Sequence, residues 1–139
     1  MPAPTLTAND FSRRQKGFLP DYMGVEVLAV EQNGLRARMA IQPHHLAPNG
    51  FLHAASVVTL ADTCCGYGCI AHLPEGAQSF TTVELKSNHL GTVRDGSIEC
   101  HAVAVHLGKT TQVWDATVTD PNGKTIALFR CTQMILWPR

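Results

Sequence analysis

Apolar and polar residues alternate with a period of two through "GVEVLAVEQNGLRARMAI", from Gly24 to Ile41, around a central Asn33-Gly34 pair. That pattern predicts two strands joined by a tight hairpin turn. The alternation returns after "PEGA" in four further runs: "FTTVELKSNHL", "GSIECHAVAVHLG", "TTQVWDATVTD" and "KTIALFRCTQMIL". The turns "RDG", "GK" and "PNGK" separate them, and connections this short make the last three strands an antiparallel meander. Between hairpin and meander lies a loop rich in turn residues, "QPHHLAPNG", then a long small or apolar stretch from Ala54 to His72. This stretch predicts one long helix, with a shorter one over Ala8 to Lys16. Two glycines and several β-branched residues lower the long helix's own propensity, so tertiary packing must hold it. The expected order is α-β-β-α-β-β-β-β, an α+β fold in which one helix lies on one antiparallel sheet.

The 139 residues fit a single domain, 1–139, in which 1–23 supply the N-terminal helix and lead-in. Hydrophobic residues make up 45% and charged residues 16%, a low charge content for a globular chain. The long helix is too apolar for one sheet to cover, which predicts a second subunit against it. Formal net charge is zero and the basic residues are scattered, which argues against nucleic acid as a partner. The long helix has about the length of a membrane span, but Asp62, its hydroxyls and its glycines make lipid insertion costly, so no membrane is expected. The first residues lack a signal-peptide pattern. With an odd set of cysteines (Cys64, Cys65, Cys69, Cys100 and Cys131), this predicts a reducing, cytoplasmic location. No CxxC or Cys/His knuckle is present, so these thiols are expected to pack as small hydrophobes and no metal is expected.

Asp62 is the one carboxylate in the long helix. It shares a helical face with Val58, Cys65, Gly66 and Cys69. A carboxylate on an apolar face must be paired, hydrogen-bonded or kept for chemistry; Thr59 and Thr63 are the nearby hydroxyls that could satisfy it. Just upstream, "PNGFLHAA" reads as a turn feeding a helix start, whose free N–H groups attract negative charge, including a developing oxyanion. The chain thus offers an oxyanion donor near Ala54 and a carboxylate at Asp62, two components of acyl transfer. Eight residues of helix separate them by ~12 Å. One reacting carbonyl needs both within about 3 Å. If both act on one substrate, a two-fold dimer must bring Ala54 of one chain to Asp62 of the other.

The segment "HLAPNGFLHAASVVTLADT" resembles the signature of the hotdog-fold acyl-CoA thioesterases of the phenylacetic-acid-degradation (PaaI) type: H-x-N-x-x-G-x-x-H-G-G followed by a helix carrying L-A-D. His45, Gly50, His53 and Leu60-Ala61-Asp62 stand at the matching positions, and the resemblance extends from Gly24 onward. It implies a hotdog fold, a long central helix wrapped by a curved antiparallel sheet. It further implies a homodimer, often paired into a homotetramer as a dimer of dimers, and a site across the dimer interface. The implied reaction is hydrolysis of an acyl-CoA thioester to free acid and CoA. Asp62 then serves as nucleophile or general base, the Ala54 N–H as oxyanion donor, and Thr82 as a hydroxyl that positions the nucleophile.

Two positions depart from the family pattern. Ala54 and Ala55 replace both glycines of H-G-G, and Ala47 replaces a polar residue six before the histidine. Asn49 is the candidate to take over that polar role. His53 either orients the thioester or fixes the loop through its backbone. In this family the hairpin matching "GKTT" lies near the pantetheine and nucleotide, which makes Lys109 and Thr110 candidate CoA contacts or a solvated turn. The spacing is not that of a phosphate-binding P-loop. A leaving thiolate resembles a free cysteine thiolate, with a pKa near ~8.5. It departs without obligatory protonation, so no cofactor is expected beyond the coenzyme A of the substrate. The other readings are a non-catalytic acyl-CoA-binding protein and a hotdog dehydratase or hydratase pairing His53 with Asp62.

Overall fold

A computed structural model describes residues 5–139; the first four residues of the lead-in lie outside the described residues. Helix α1 (Ala8–Arg14) starts at Thr7, whose hydroxyl accepts the Asp10 N–H while the Asp10 carboxylate takes the Thr7 N–H, a reciprocal cap. It stops two residues short of the expected Lys16 because Gln15 turns inward. Gln15 Nε2 donates to the Val25 carbonyl at 2.8 Å, and Tyr67 Oη donates to Gln15 Oε1 at 2.7 Å. A second short helix, α2 (Leu19–Met23), was not expected from the alternation. Its signals were local: a proline in its first turn and Gly24 at φ +83° closing it in the left-handed conformation.

The strands are β1 (Val25–Glu31), β2 (Gly34–Ala40), β3 (Ser79–His89), β4 (Ser97–Leu107), β5 (Thr111–Thr119) and β6 (Thr125–Leu136). They form one antiparallel sheet in the order β1-β2-β4-β5-β6-β3, which contains the expected hairpin and meander. Strand β3 returns to an edge beside β6. The long helix α3 (Ala54–Ala71) lies against the sheet's inner face. It is long and apolar enough to cross a membrane by composition, yet half of it is buried within the chain, as a core helix is.

Small residues on α3 set how closely it approaches the sheet. A Cβ on Gly68 would lie 2.7 Å from the buried Trp114 ring, and one on Gly66 would lie 3.0 Å from Phe80. On the opposite flank α1 docks by stacking Phe11 on Tyr67, ring centroids 4.5 Å apart. All five cysteines are free and buried, as expected of packing residues. Burial pushes the Cys69 thiol up to about 12. Cys65 and Cys100 are held well above the ordinary thiol value by hydrogen bonds to Cys131 and Cys64.

The C-terminus of α3 is fixed by His72. The Asn33 N–H donates to its Nε2 at 2.8 Å, so the ring proton sits on Nδ1, which donates to the Gly68 carbonyl at 2.7 Å. Gln112 Nε2 donates to the His72 carbonyl, and Trp114 Nε1 donates to Gln112 Oε1. The ring and carbonyl of one buried histidine thus tie helix end, hairpin turn and β5 together. Replacing His72 with Ala orphans a backbone N–H and opens a cavity. The expected cost is about 2–4 kcal/mol, read as a lower denaturation midpoint; an unchanged midpoint would show that the clamp is redundant.

Candidate active site

The loop before α3 is closed by its own polar groups. The Ala47 N–H donates to the Phe51 carbonyl at 2.7 Å, and the Phe51 N–H donates to Asn49 Oδ1 at 3.1 Å. Gly50 sits at φ +87°, a conformation in which a side chain would be strained. Asn49 is exposed, and its side-chain oxygen shapes the turn while its amide nitrogen stays uncommitted. His45, at the position of the family pattern's first histidine, is fully buried. Its Nδ1 accepts the Gln42 N–H, and its carbonyl accepts both the His53 N–H (3.0 Å) and the Ser56 hydroxyl (2.8 Å). Burial lowers its pKa, with the neighbouring His44 adding to the effect. His45 therefore anchors the loop to the helix start.

At that start the first-turn donors are unequally used. His53 is the N-cap, and its Nδ1 accepts the Ala55 N–H at 2.9 Å. Its carbonyl accepts the Ser56 and Val57 N–H groups at 2.9 and 3.4 Å. The Ala54 N–H alone of these is left without an acceptor, and both Ala54 and Ala55 are exposed. The methyl groups that replace glycine hydrogens thus leave the donor in place at the positive end of the helix.

Asp62 lies two turns further on, at the border of the buried face: Cys65, Gly66 and Cys69 are buried, whereas Val58 and Asp62 are half-buried. Its Oδ1 is buried without a hydrogen-bond partner. Neither nearby threonine satisfies it: the Thr59 hydroxyl donates instead to the Ala55 carbonyl at 2.9 Å. Burial raises the carboxyl's pKa above its ordinary value. Thr82 is half-buried on β3, on the same side of the strand as Phe80, which touches Gly66 one turn beyond Asp62. Its hydroxyl donates to Gln133 Oε1 at 2.7 Å. The sheet register skips Val83 at this point, a bulge that interrupts the strand's pleat directly beside Thr82.

Lys109 and Thr110 sit elsewhere, at the β4–β5 turn. The Trp137 Nε1–H donates to the Lys109 carbonyl at 3.0 Å, and the lysine ammonium lies 5.9 Å from the Trp137 ring centroid. Lys109 shares a hollow of ≈ 200 Å³ with His72, at the C-terminal end of α3. The chain therefore distributes the expected residues along one helix. His53, Ala54, Asn49 and Gly50 cluster at its start; Asp62 is near its middle with Thr82 on the strand beside it; Lys109 and Thr110 are at its far end. Two groups escaped the sequence reading. Gln133 was hidden on an inward strand position, and Arg94 lies 4.3 Å over the Phe51 ring beside the loop that leads to Ala54. Among the described residues no three His, Cys, Asp or Glu side chains form a metal-binding group.

Residues 49–127, which carry the helix start, Asp62, Thr82 and strands β3 to β5, match the model of the thioesterase superfamily. The chain belongs to that family. It is 30% identical over 114 residues to the 1,4-dihydroxy-2-naphthoyl-CoA hydrolase of Listeria monocytogenes, covering 82% of this chain and 92% of that one. Its fold matches a crystal structure of a mutant thioesterase from Pseudomonas aeruginosa with a TM-score of 0.90 at 28% identity, over 95% of both chains. The PaaI protein of Escherichia coli shares the fold with a TM-score of 0.82, covering 92% of this chain and 91% of that chain at 21% identity. The expected hotdog fold is therefore the one present, and the protein is a thioester hydrolase by family.

Proposed function

We propose that this thioesterase hydrolyses an acyl-CoA, with Asp62 as nucleophile or general base and the Ala54 N–H of a second subunit stabilising the oxyanion. The observation that carries this reading is the buried Asp62 Oδ1 with no hydrogen-bond partner among the described residues. An idle acceptor of this kind costs stability, and a reaction that needs a carboxylate accounts for its retention. The Ala54 N–H is the complementary idle donor. The two are ~12 Å apart along one helix, so they meet only across a two-fold axis.

Strand β3 supports such an axis. It is an eleven-residue edge strand whose outer flank pairs with no strand among the described residues, with Val83 and Leu85 exposed by 52% and 43%. Pairing two β3 edges antiparallel would extend the sheet and set two α3 helices side by side, with Asp62 of each near the other's helix start. Exposed Val103, Leu128 and Met134 on the remaining strands offer apolar area for pairing dimers into a tetramer.

The positive helix end of the partner favours the ionised carboxylate and opposes the effect of burial. The thiolate of CoA leaves unprotonated, so one carboxylate and one N–H suffice. Lys109, Thr110 and Arg94 are the polar groups placed to meet the nucleotide end of CoA, and Asn49 and Gly50 shape the loop beside the acyl group. Thiol release should be measured over short, medium and aryl acyl-CoAs, with a dehydration assay in parallel. Hydrolysis of at least one class is expected; tight binding without turnover, or dehydration alone, would refute the reading.

A further inference from the structure

Gln133 is fully buried on β6, in an inward-facing row with Phe129, Cys131 and Ile135. A glutamine among three apolar neighbours is costly unless both ends of its amide are used. Both are: Nε2 donates to Cys131 Sγ at 3.4 Å, and Oε1 accepts the Thr82 hydroxyl at 2.7 Å. The N–H end of the amide thus faces the Cys131 sulfur and its oxygen faces Thr82. Thr82 and Gln133 are also paired in register, directly opposite one another on the sheet's inner face.

This has a consequence for the hydroxyl. Thr82 has one proton, and Gln133 takes it. To any other neighbour the oxygen then presents lone pairs only, so Thr82 does not donate to Asp62, whose Oδ1 has no donor among the described residues. It can accept.

We propose that Gln133 is a positioning residue for hydrolysis: it holds the Thr82 hydroxyl as an acceptor, so that Thr82 orients the attacking water for Asp62. The inference rests on the assignment of Asp62 as the catalytic carboxylate. In the step, one water proton passes to the Asp62 carboxylate while the other is hydrogen-bonded to Thr82 Oγ1. The water oxygen forms a bond to the thioester carbonyl carbon, and the carbonyl's electron pair moves onto its oxygen. Collapse of that oxyanion breaks the C–S bond and releases CoA thiolate; the acid proton goes from Asp62 to bulk water. A donor in place of the acceptor would turn the water's lone pair away from the carbonyl.

The test is a double-mutant cycle on the intact oligomer. Gln133→Met keeps the volume and removes the acceptor; Thr82→Val removes the hydroxyl. Each is expected to lower kcat by about tenfold or more with KM unchanged, as misplacement near reacting atoms does. The double variant should be no slower than Thr82→Val alone, because Gln133 acts only through that hydroxyl. Multiplying losses, or equal losses in KM, would overturn the proposal. If Gln133→Met does not fold, Gln133→Asn carries the test, since it keeps the amide but draws its oxygen back from Thr82. A fall in kcat of about tenfold with KM unchanged supports the proposal, and a kcat within about threefold of wild type overturns it. Full activity in Asp62→Asn would remove the assignment on which the inference rests. An inactive Asp62→Asn beside unimpaired Gln133→Met and Thr82→Val would overturn only the role of Gln133.

Discussion

Asp62→Asn is expected to lower kcat by about 10²–10⁴-fold, the range supplied by a positioned general base, while leaving acyl-CoA binding largely intact. The amide preserves shape and polarity, so the loss would report the missing charge. On the proposed role the reacting form is the carboxylate, and burial raises its pKa. The acid limb of kcat/KM should therefore lie above the ordinary aspartate value of about 3.9, with activity rising as pH rises through it. The same shift has an opposite effect on stability. Because the folded pKa exceeds the unfolded one, the folded state binds the proton more tightly; this contribution is fully present below the unfolded pKa and lost as pH rises through the folded pKa. At neutral pH the carboxylate is thus a burden on the fold, and Asp62→Asn should melt higher than wild type, by a margin that shrinks in acid. Activity lost with stability gained is the signature of a residue kept for chemistry. An active Asp62→Asn, or one that melts lower at neutral pH, would reduce Asp62 to a structural residue.

How far the sequence revealed this depends on what kind of signal each element leaves. Strict alternation located all six strands, because an inward side chain every second residue is what a half-buried strand requires. The long helix was bounded to within one residue, since its start is a capping histidine and its end a loop of Pro, Glu and Gly. Helix α2 was missed because five residues are too few to show a period; only its proline and terminal glycine announce it. The burial of His45 left no local trace, because it depends on the helix start folding back over the loop, through bonds from His53 and Ser56. Gln133 did leave a trace. In "LFRCTQMIL" the inward positions run Phe129, Cys131, Gln133, Ile135, and the polar member of that row is conspicuous once the face is assigned. Its partner across the sheet could not be read, because β3 and β6 are separated by two intervening strands and their register includes a bulge.

The alanine that replaces the family's glycine provides the sharpest test of a shared site. Ala54 is the first helical residue after the His53 cap, and its N–H has no acceptor among the described residues. Proline is tolerated at that position because its fixed φ suits a helix start and its missing N–H breaks no bond. His53, at φ −68° and ψ 135°, already has the extended conformation that a following proline demands. Ala54→Pro should therefore fold and melt like wild type, yet lose about 10²–10³-fold in kcat, the usual penalty for deleting one oxyanion donor. Co-expression with Asp62→Asn then separates two geometries. If one chain supplied both groups, mixing two defective chains would restore nothing. If each site joins Ala54 of one subunit to Asp62 of the other, every mixed dimer has one site with both defects and one with neither. Random pairing makes half of the dimers mixed, so about a quarter of the wild-type rate should return in a two-fold dimer. A preparation that sediments as a dimer but shows no rescue would overturn the shared site, and Asp62 would need an oxyanion donor other than the Ala54 N–H.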